Sequence, residues 1–362
     1  MHPVDLSAHL LEVILQRTGI DPDVIEEVVW GCASQVGEQA SNIARNAVLA
    51  AGWPEAVAAM TVNRQSGSSQ QSIHIAAAGL VAGHYDVVVA GGVESISRVP
   101  RDTPTLGNGP FGELIAARYG KEVPHPGVVA ELIALRWGLS RAQLDDFAAG
   151  SHESAAAARL QRRFDQQIAP VTLPNGVSVE EDEGIRADAP VDELAGLPTM
   201  FMPAQDGGVI TAGNSAQASD GAAALLLMTS RMAFEVGLTP IARVHTAVAA
   251  GSEPETMTPA LVHATRKALR RGRLTIDGIG VFEVNESYAP IPLTWLAEMG
   301  ADPKALNPNG GAIAVGHPLG GAGARLMTTL VHHMRDNDVR YGLQTMATED
   351  GQATTTILEL LS

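Results

Sequence analysis

The 362-residue chain has a single cysteine, Cys32. One thiol excludes an intramolecular disulfide framework and any multi-cysteine zinc or iron–sulfur site. Aromatic residues make up only 4% of the chain, so the interior has to be built from Ala, Val, Leu and Ile. The 37 glycines imply many tight turns. Positive charge is also short: 24 Lys and Arg against 40 Asp and Glu leave a formal charge of −16. Such a surface is a poor partner for nucleic acid, because phosphate binding needs clustered Lys and Arg. An anionic ligand would need a local basic pocket. No uncharged apolar run reaches the roughly 18 residues of a membrane span, and no membrane partner is expected. Met1 to Gly19 reads as an amphipathic helix interrupted by Asp5, His9, Glu12 and Arg17 rather than as a signal peptide, so the expected location is the cytoplasm. The eleven histidines show no HExxH or similar spacing, and no metal is expected.

What is present is a large α/β pattern. At about 150 residues per domain the length suggests two or three domains or one duplicated fold. Asp5 to Thr18 carries a helical apolar stripe. Asp21-Pro22 suits the start of a short helix, and Ile25 to Cys32 (IEEVVWGC) reads as a helix end running into a strand. Asn42 to Ala51 is helical. Ala58 to Arg64 reads as a buried strand, Gln65 to Ser69 as a turn, Gln70 to Ala82 as a helix and Asp86 to Ala90 as a second buried strand. That succession is a βαβ unit, and its continuous apolar strands imply a sheet covered on both faces.

From Ser97 to Pro203 the character changes: Pro, Gly and charge rise, helices (Val128 to Trp137, Ala142 to Arg163) alternate with loops, and the acidic run Glu180 to Glu183 reads as a solvated loop. Order returns with Asp220 to Met228, a strand or helix. Strand-like Pro240 to Ala250, Gly278 to Val284, Leu343 to Ala347 and Thr354 to Leu360 then alternate with helices Pro259 to Arg271, Pro290 to Gly300 and Ala324 to Arg335.

Three places could carry chemistry. Ser66 stands where a strand turns into a helix, a position where unpaired N–H groups favour a nucleophile or an oxyanion. From the residue alone a routine N-cap is the commoner role. His317 lies in the glycine-rich stretch Asn309 to Gly320 (NGGAIAVGHPLG). Glycines there permit close approach to a ligand, and the histidine suits an acid or base. Asn285-Glu286 ends a buried strand, where open α/β sheets place their ligands. His332-His333, on a helix, reads as exposed.

Together these segments resemble the thiolase family, near its acetyl-CoA acetyltransferase and β-ketoacyl-CoA thiolase branch. The resemblance rests on Asn63 to Gln71 (NRQSGSSQQ) with Ala90 to Ser97 (AGGVESIS), on Asn285 to Ala289 (NESYA) and on Asn309 to Gly320. Asn42 to Arg45, Ser140-Arg141, Phe147, Ser151-His152, Thr211 to Asn214, Ser219 to Ala224 and Arg340 to Met346 support it in the same order along the chain. It implies a five-layer αβαβα sandwich of two pseudo-equivalent halves, residues 1–235 and 236–362, with a loop domain inserted at about 98–208. It also implies an acyl-CoA substrate, no cofactor, and a homodimer or homotetramer, or pairing with an active subunit.

The resemblance also assigns positions, and this chain departs at several. The family's nucleophilic cysteine falls at Ser66, and its second cysteine, the acid/base, at Ala347. The glycine triplet whose first N–H holds the thioester oxygen falls at Glu349-Asp350-Gly351. His317 and the water-positioning Asn285 are kept. His125, Arg186, Ala212, Ser215 and Ala216 fall at substrate- or CoA-binding positions, with Pro126 where the family has Met after His125. Family members also begin with a further strand ahead of the helix at which this chain starts, and a misassigned start is expected.

A thiol is readily pushed toward thiolate, whereas a serine hydroxyl needs a general base at the moment of attack. His317 is the available base. With Ala at 347 no side chain removes the α-proton of a second acyl group, and a Glu349 carboxylate beside an oxyanion would repel it. The expected function is a divergent acyltransferase acting on acyl-CoA through Ser66, without ordinary thiolysis or Claisen condensation. The alternative is a catalytically silent acyl-CoA-binding or partner subunit. A variant of the first makes Glu349 or Asp350 the carboxylate that orients His317.

Overall fold

The computed structural model describes residues 1–101, 103–119, 124–173, 175–187, 191–254 and 257–361. The chain begins with α1 (Pro3–Thr18), closed by Gly19 in the left-handed conformation. The short helix expected at Asp21-Pro22 is a single 3-10 turn, with the Asp21 carboxylate accepting from the Asp23 N–H. No helical residue lies within Ile25 to Cys32: the helix end expected there is absent, and the segment is strand approach and strand, β1 (Glu27–Gly31). Helix α2 (Ile43–Ala50) is capped by Asn42. Strand β2 (Ala58–Val62), expected to be buried, lies at the sheet edge and alternates exposed with half-buried positions. Helix α3 (Ser68–Ala82) and strand β3 (Val87–Ser95) complete the βαβ unit.

The irregular block holds α4 (Glu113–Tyr119), α5 (Pro126–Trp137), α6 (Arg141–Leu160), the small hairpin β4 (Val171–Thr172) and β5 (Ser178–Val179), and α7 (Val191–Ala195). Residues 220–228 form β6 (Asp220–Met228), a strand, which settles the alternative left by the sequence. Then follow α8 (Ser230–Glu235), β7 (Ala242–Gly251), α9 (Met257–Gly272), β8 (Val281–Val284), α10 (Pro290–Met299), α11 (Ala312–Val315), α12 (Ala322–Asp336), β9 (Tyr341–Thr348) and β10 (Gln352–Leu360).

Two mixed sheets result, ordered β2-β1-β3-β6 and β7-β10-β9-β8. In the first, β1 runs parallel to β2 and β3, while β6 is antiparallel to β3. In the second, β8 and β9 are parallel and β10 is antiparallel to both β9 and β7. Helices α3 and α12 pack on each other between the sheets; α1 and α2 cover the outer face of the first sheet, and α9, with α10 packed on it, covers that of the second. These are the five αβαβα layers that the resemblance implies.

Alternation along β3 shows how the layers divide the core: Val87, Val89 and Val93 face the outer cluster with Trp30, Leu11 and Ile43, whereas Val88 and Ala90 face Ile73, Ala324, Met327 and Leu330 between the sheets. A strand buried on both faces needs an unbroken apolar run, and β3 has one. Two glycines let the central layer come this close. A Cβ on Gly31 would lie 2.4 Å from the Ser69 nitrogen, and one on Gly92 would lie 2.3 Å from the Gly320 oxygen. Cys32 is buried beside them, and burial with the nearby Glu94 charge holds its thiol protonated.

Candidate active site

The turn between β2 and α3 is built by its own polar side chains. The Gln65 N–H donates to Asn63 Oδ1 at 2.8 Å, the Asn63 amide donates to the Ala33 carbonyl at 3.0 Å, and the Ser68 hydroxyl donates to the Gln65 carbonyl at 2.5 Å. Gln65 takes a left-handed φ of 50°. This geometry presents Ser66, which is 5% exposed, just ahead of the helix. Ser66 is not the cap: Gly67 holds that position and no side chain bonds the helix start. The routine reading of this serine therefore fails, and the residue lines a cavity.

That cavity has a volume of about 310 Å³. Ser66, His317 and Ala347 line it from three separate elements, together with Ser215, Ala216, His125, Tyr288, Arg101 and Glu349. The His317 N–H donates to the Gln217 carbonyl at 2.9 Å, which fixes the loop, and Pro318 follows it. Burial, reinforced by the positive charges of Arg325 and Arg101, pushes the imidazole pKa down to about 3. The ring is neutral at neutral pH, the form that accepts a proton. Its Nδ1 is buried without a hydrogen-bond partner among the described residues. No carboxylate orients the ring through that atom, so the serine–histidine–acid variant is not formed: Glu349 is ion-paired to Arg101, and Asp350 is exposed on the turn.

Two buried carboxylates hold the glycine-rich loop in place. Glu94, at the end of β3, accepts from the N–H groups of Ala33 (2.9 Å), Ser34 (3.1 Å) and Gly320 (2.8 Å) and from the Gln39 amide (2.7 Å). Glu286, just after β8, accepts from the Ser151 hydroxyl (2.7 Å), the Asn307 amide (2.8 Å) and the Ile313 N–H (3.2 Å). Burial raises the Glu286 pKa while these bonds oppose the rise. The loop carrying His317 is thus pinned to both halves of the molecule. Sequence reading quoted both acids inside motifs but gave neither this role.

The other expected residues divide. Ser215 and Ala216 line the cavity, Ser215 bridging to Tyr288 and donating its hydroxyl to the Thr211 carbonyl at 2.7 Å. His125 caps α5 through Nδ1, accepting from the Gly127 N–H at 3.0 Å, and stacks on Phe201 with ring centroids 5.1 Å apart. Asn285 is buried behind the cavity, donating to the Ser287 hydroxyl at 2.7 Å, with its Oδ1 unpartnered among the described residues. Arg186 is exposed and Ala212 sits exposed on a 3-10 turn; neither lines the cavity. His332 and His333, expected to be exposed, are half-buried on α12, and burial pushes the His332 pKa down to about 4. Arg101, Tyr288 and Phe201 were missed as site residues. Tyr288 lies within the Asn285 to Ala289 motif; Arg101 has no local signal at all.

Family models for the thiolase N-terminal domain and the thiolase C-terminal domain match residues 1–231 and 238–360. The chain belongs to the thiolase family. A steroid 3-ketoacyl-CoA thiolase of Mycobacterium tuberculosis is 42% identical over all of this chain and 89% of the relative. A 3-ketoacyl-CoA thiolase of Pseudoalteromonas translucida is 42% identical over 98% of this chain and 92% of the relative. Among solved structures, the acetyl-CoA acetyltransferase of Bacillus anthracis matches with a TM-score of 0.89 at 32% identity, over 100% of this chain and 93% of that one. This thiolase-family protein is an acyltransferase of that superfamily. Among its described residues no group of three or more His, Cys, Asp or Glu is placed to hold a metal ion, and no helix is long and apolar enough to cross a membrane.

Proposed function

We propose that this thiolase-family protein takes the acyl group of an acyl-CoA onto Ser66 as an ester and passes it to an acceptor. The observation that carries the reading is that Ser66 and a neutral His317 line one cavity in which the second family cysteine position is Ala347. In the first step Ser66 Oγ attacks the thioester carbonyl carbon while His317 takes the hydroxyl proton. The C–S bond breaks, the CoA sulfur leaves with the proton that His317 holds, and the acyl ester remains. In the second step the acceptor attacks the ester carbonyl and Ser66 recovers its proton through His317. Ala347 has no proton-accepting group, so the α-proton abstraction of ordinary condensation has no base there. CoA is assigned to the side of the cavity formed by His125, Ser215 and Ala216, with Ala212 and Arg186 farther along its arm. Asn285 supports a water beside His317.

The reading includes a soluble cytoplasmic homodimer or homotetramer whose halves meet at residues 235–236, with the inserted segment at about 98–208. These features rest on the family resemblance. A second reading, a silent acyl-CoA-binding or partner subunit, is favoured by the pairing of Glu349 with Arg101 in place of a glycine turn.

Intact-mass measurement after incubation with acyl-CoAs of several chain lengths separates the two. A hydroxylamine-labile acyl adduct that disappears in Ser66→Ala is the expected result. CoA binding with no adduct at any chain length sinks the transferase reading and leaves the binding one.

A further inference from the structure

Part of the cavity wall is charged. Arg101 enters it from the segment after β3, forms an ion pair through Nη2 with Glu349, and lies close to the phenol of Tyr288. Tyr288 is in turn braced edge-on by Phe201, with centroids 5.9 Å apart. Among the described residues lining the cavity, Arg101 is the only permanent cation and Glu349 the only permanent anion. A guanidinium carries five N–H donors in a planar fork. Among the described residues, Glu349 accepts from one arm of that fork.

An apolar acyl chain packed against this wall would strip water from an ion pair and offer no hydrogen bond in return, which is unfavourable. A carboxylate at the same place accepts from the fork with a charge-assisted bond. Glu349 opens a three-residue turn between β9 and β10 whose next residue, Asp350, is exposed, so its carboxylate has water to move into. The geometry points to Arg101 as the specificity-determining residue for acyl groups that end in a carboxylate, with Glu349 as the resident counter-ion that the substrate displaces. The substrate class is then CoA thioesters of dicarboxylic acids. This inference rests on the acyl-CoA reading given above.

Calorimetric titration with glutaryl-CoA, pentanoyl-CoA and free CoA tests it. The first two have acyl chains of equal length and differ in the terminal carboxylate. Glutaryl-CoA is expected to bind at least tenfold tighter than pentanoyl-CoA. Arg101→Met should abolish that ratio while changing free CoA affinity less than twofold, and Arg101→Lys, which keeps the charge without the fork, should retain part of it. Glu349→Gln should raise the ratio severalfold by removing the competitor. Equal binding of the two thioesters to the unaltered protein overturns the inference alone. So does a loss in Arg101→Met that is the same for both, which would make the arginine structural. Absence of binding by CoA and by both thioesters overturns the acyl-CoA reading as well.

Discussion

The two halves share a three-strand pattern and differ at both edges, β2 lying beyond β1 in the first with no strand beyond β8 in the second among the described residues. In the C-terminal sheet β8, β9 and β10 are followed by β7; in the N-terminal sheet β1, β3 and β6 occupy the corresponding places, and β6 has no strand on its other side among the described residues. The effect on burial is direct. All seven interior positions of β10 are buried, whereas β6 is half-buried or exposed along its whole length. Beside β6 lies a cavity of about 430 Å³ lined by Leu6, Leu10 and Ile14 of α1, by Phe164 and Val315, and by Arg325, whose Nε and Nη2 have no partner among the described residues. The comparison teaches that topology alone does not set local stability. A strand paired on both sides has its amides protected by neighbours, and an edge strand relies on the helix laid over it.

The largest effect that would sharpen this comparison concerns the two carboxylates that tie the glycine-rich loop to each half. Glu94→Ala strands four donors, three of them backbone N–H groups, and should cost about 4 kcal/mol of stability in urea unfolding. Glu286→Ala strands three donors of a carboxylate already held above the usual range, and should cost less. Equal losses would show that the halves anchor the loop equally. Next in size, amide exchange should be on the order of a hundredfold to a thousandfold faster in β6 than in β10, read by mass spectrometry on the intact protein. Equal protection would break the comparison.

The smallest effect is one of pH. Burial pushes the Glu283 pKa on β8 up to about 8, against an ordinary 4.5. Between those values the native state keeps a proton that the unfolded chain has lost, so this group's contribution to stability falls as pH rises through the window. Glu283→Gln should remove that slope, a gain on the order of 2 kcal/mol at pH 9 as water follows the charge into the native site. The histidines act with the opposite sign: with native pKa values of about 3 for His317 and about 4 for His74, the unfolded chain takes up protons first as pH falls below 6.5, and stability drops toward acid. An unchanged alkaline limb in Glu283→Gln would show that the carboxyl is solvated.

Much of the fold was legible because its signals are local. The apolar run of β3, the helical stretch after Asn42 and the break in pattern after Ser97 each lie within a short window. The edge positions of β2 and β6 were not legible, since an apolar run does not say whether a neighbouring strand covers it. The site divides the same way. Ser66, His317 and Ala347 could be picked out because each sits in a recognisable motif. Arg101 could not, because its partner Glu349 lies 248 residues away in the chain and only folding brings them together. Arg186 and Ala212 were carried over by position, and position does not require a side chain to reach the cavity.

The seam between the halves has a mechanical consequence. The Gln70 amide on α3 donates to the Thr356 hydroxyl at 2.8 Å and its carbonyl accepts from the Thr354 hydroxyl at 2.8 Å, His74 meets the same Thr356 at 2.7 Å, and Ser69 accepts from the Ala324 N–H at 2.9 Å. These bonds are buried and cross from one half to the other along the helix that follows the nucleophile turn. A hinge between the halves would have to break all of them at once, with no water to replace them. Breathing of this active site therefore belongs to its loops, and the base and the nucleophile travel together as parts of one rigid body.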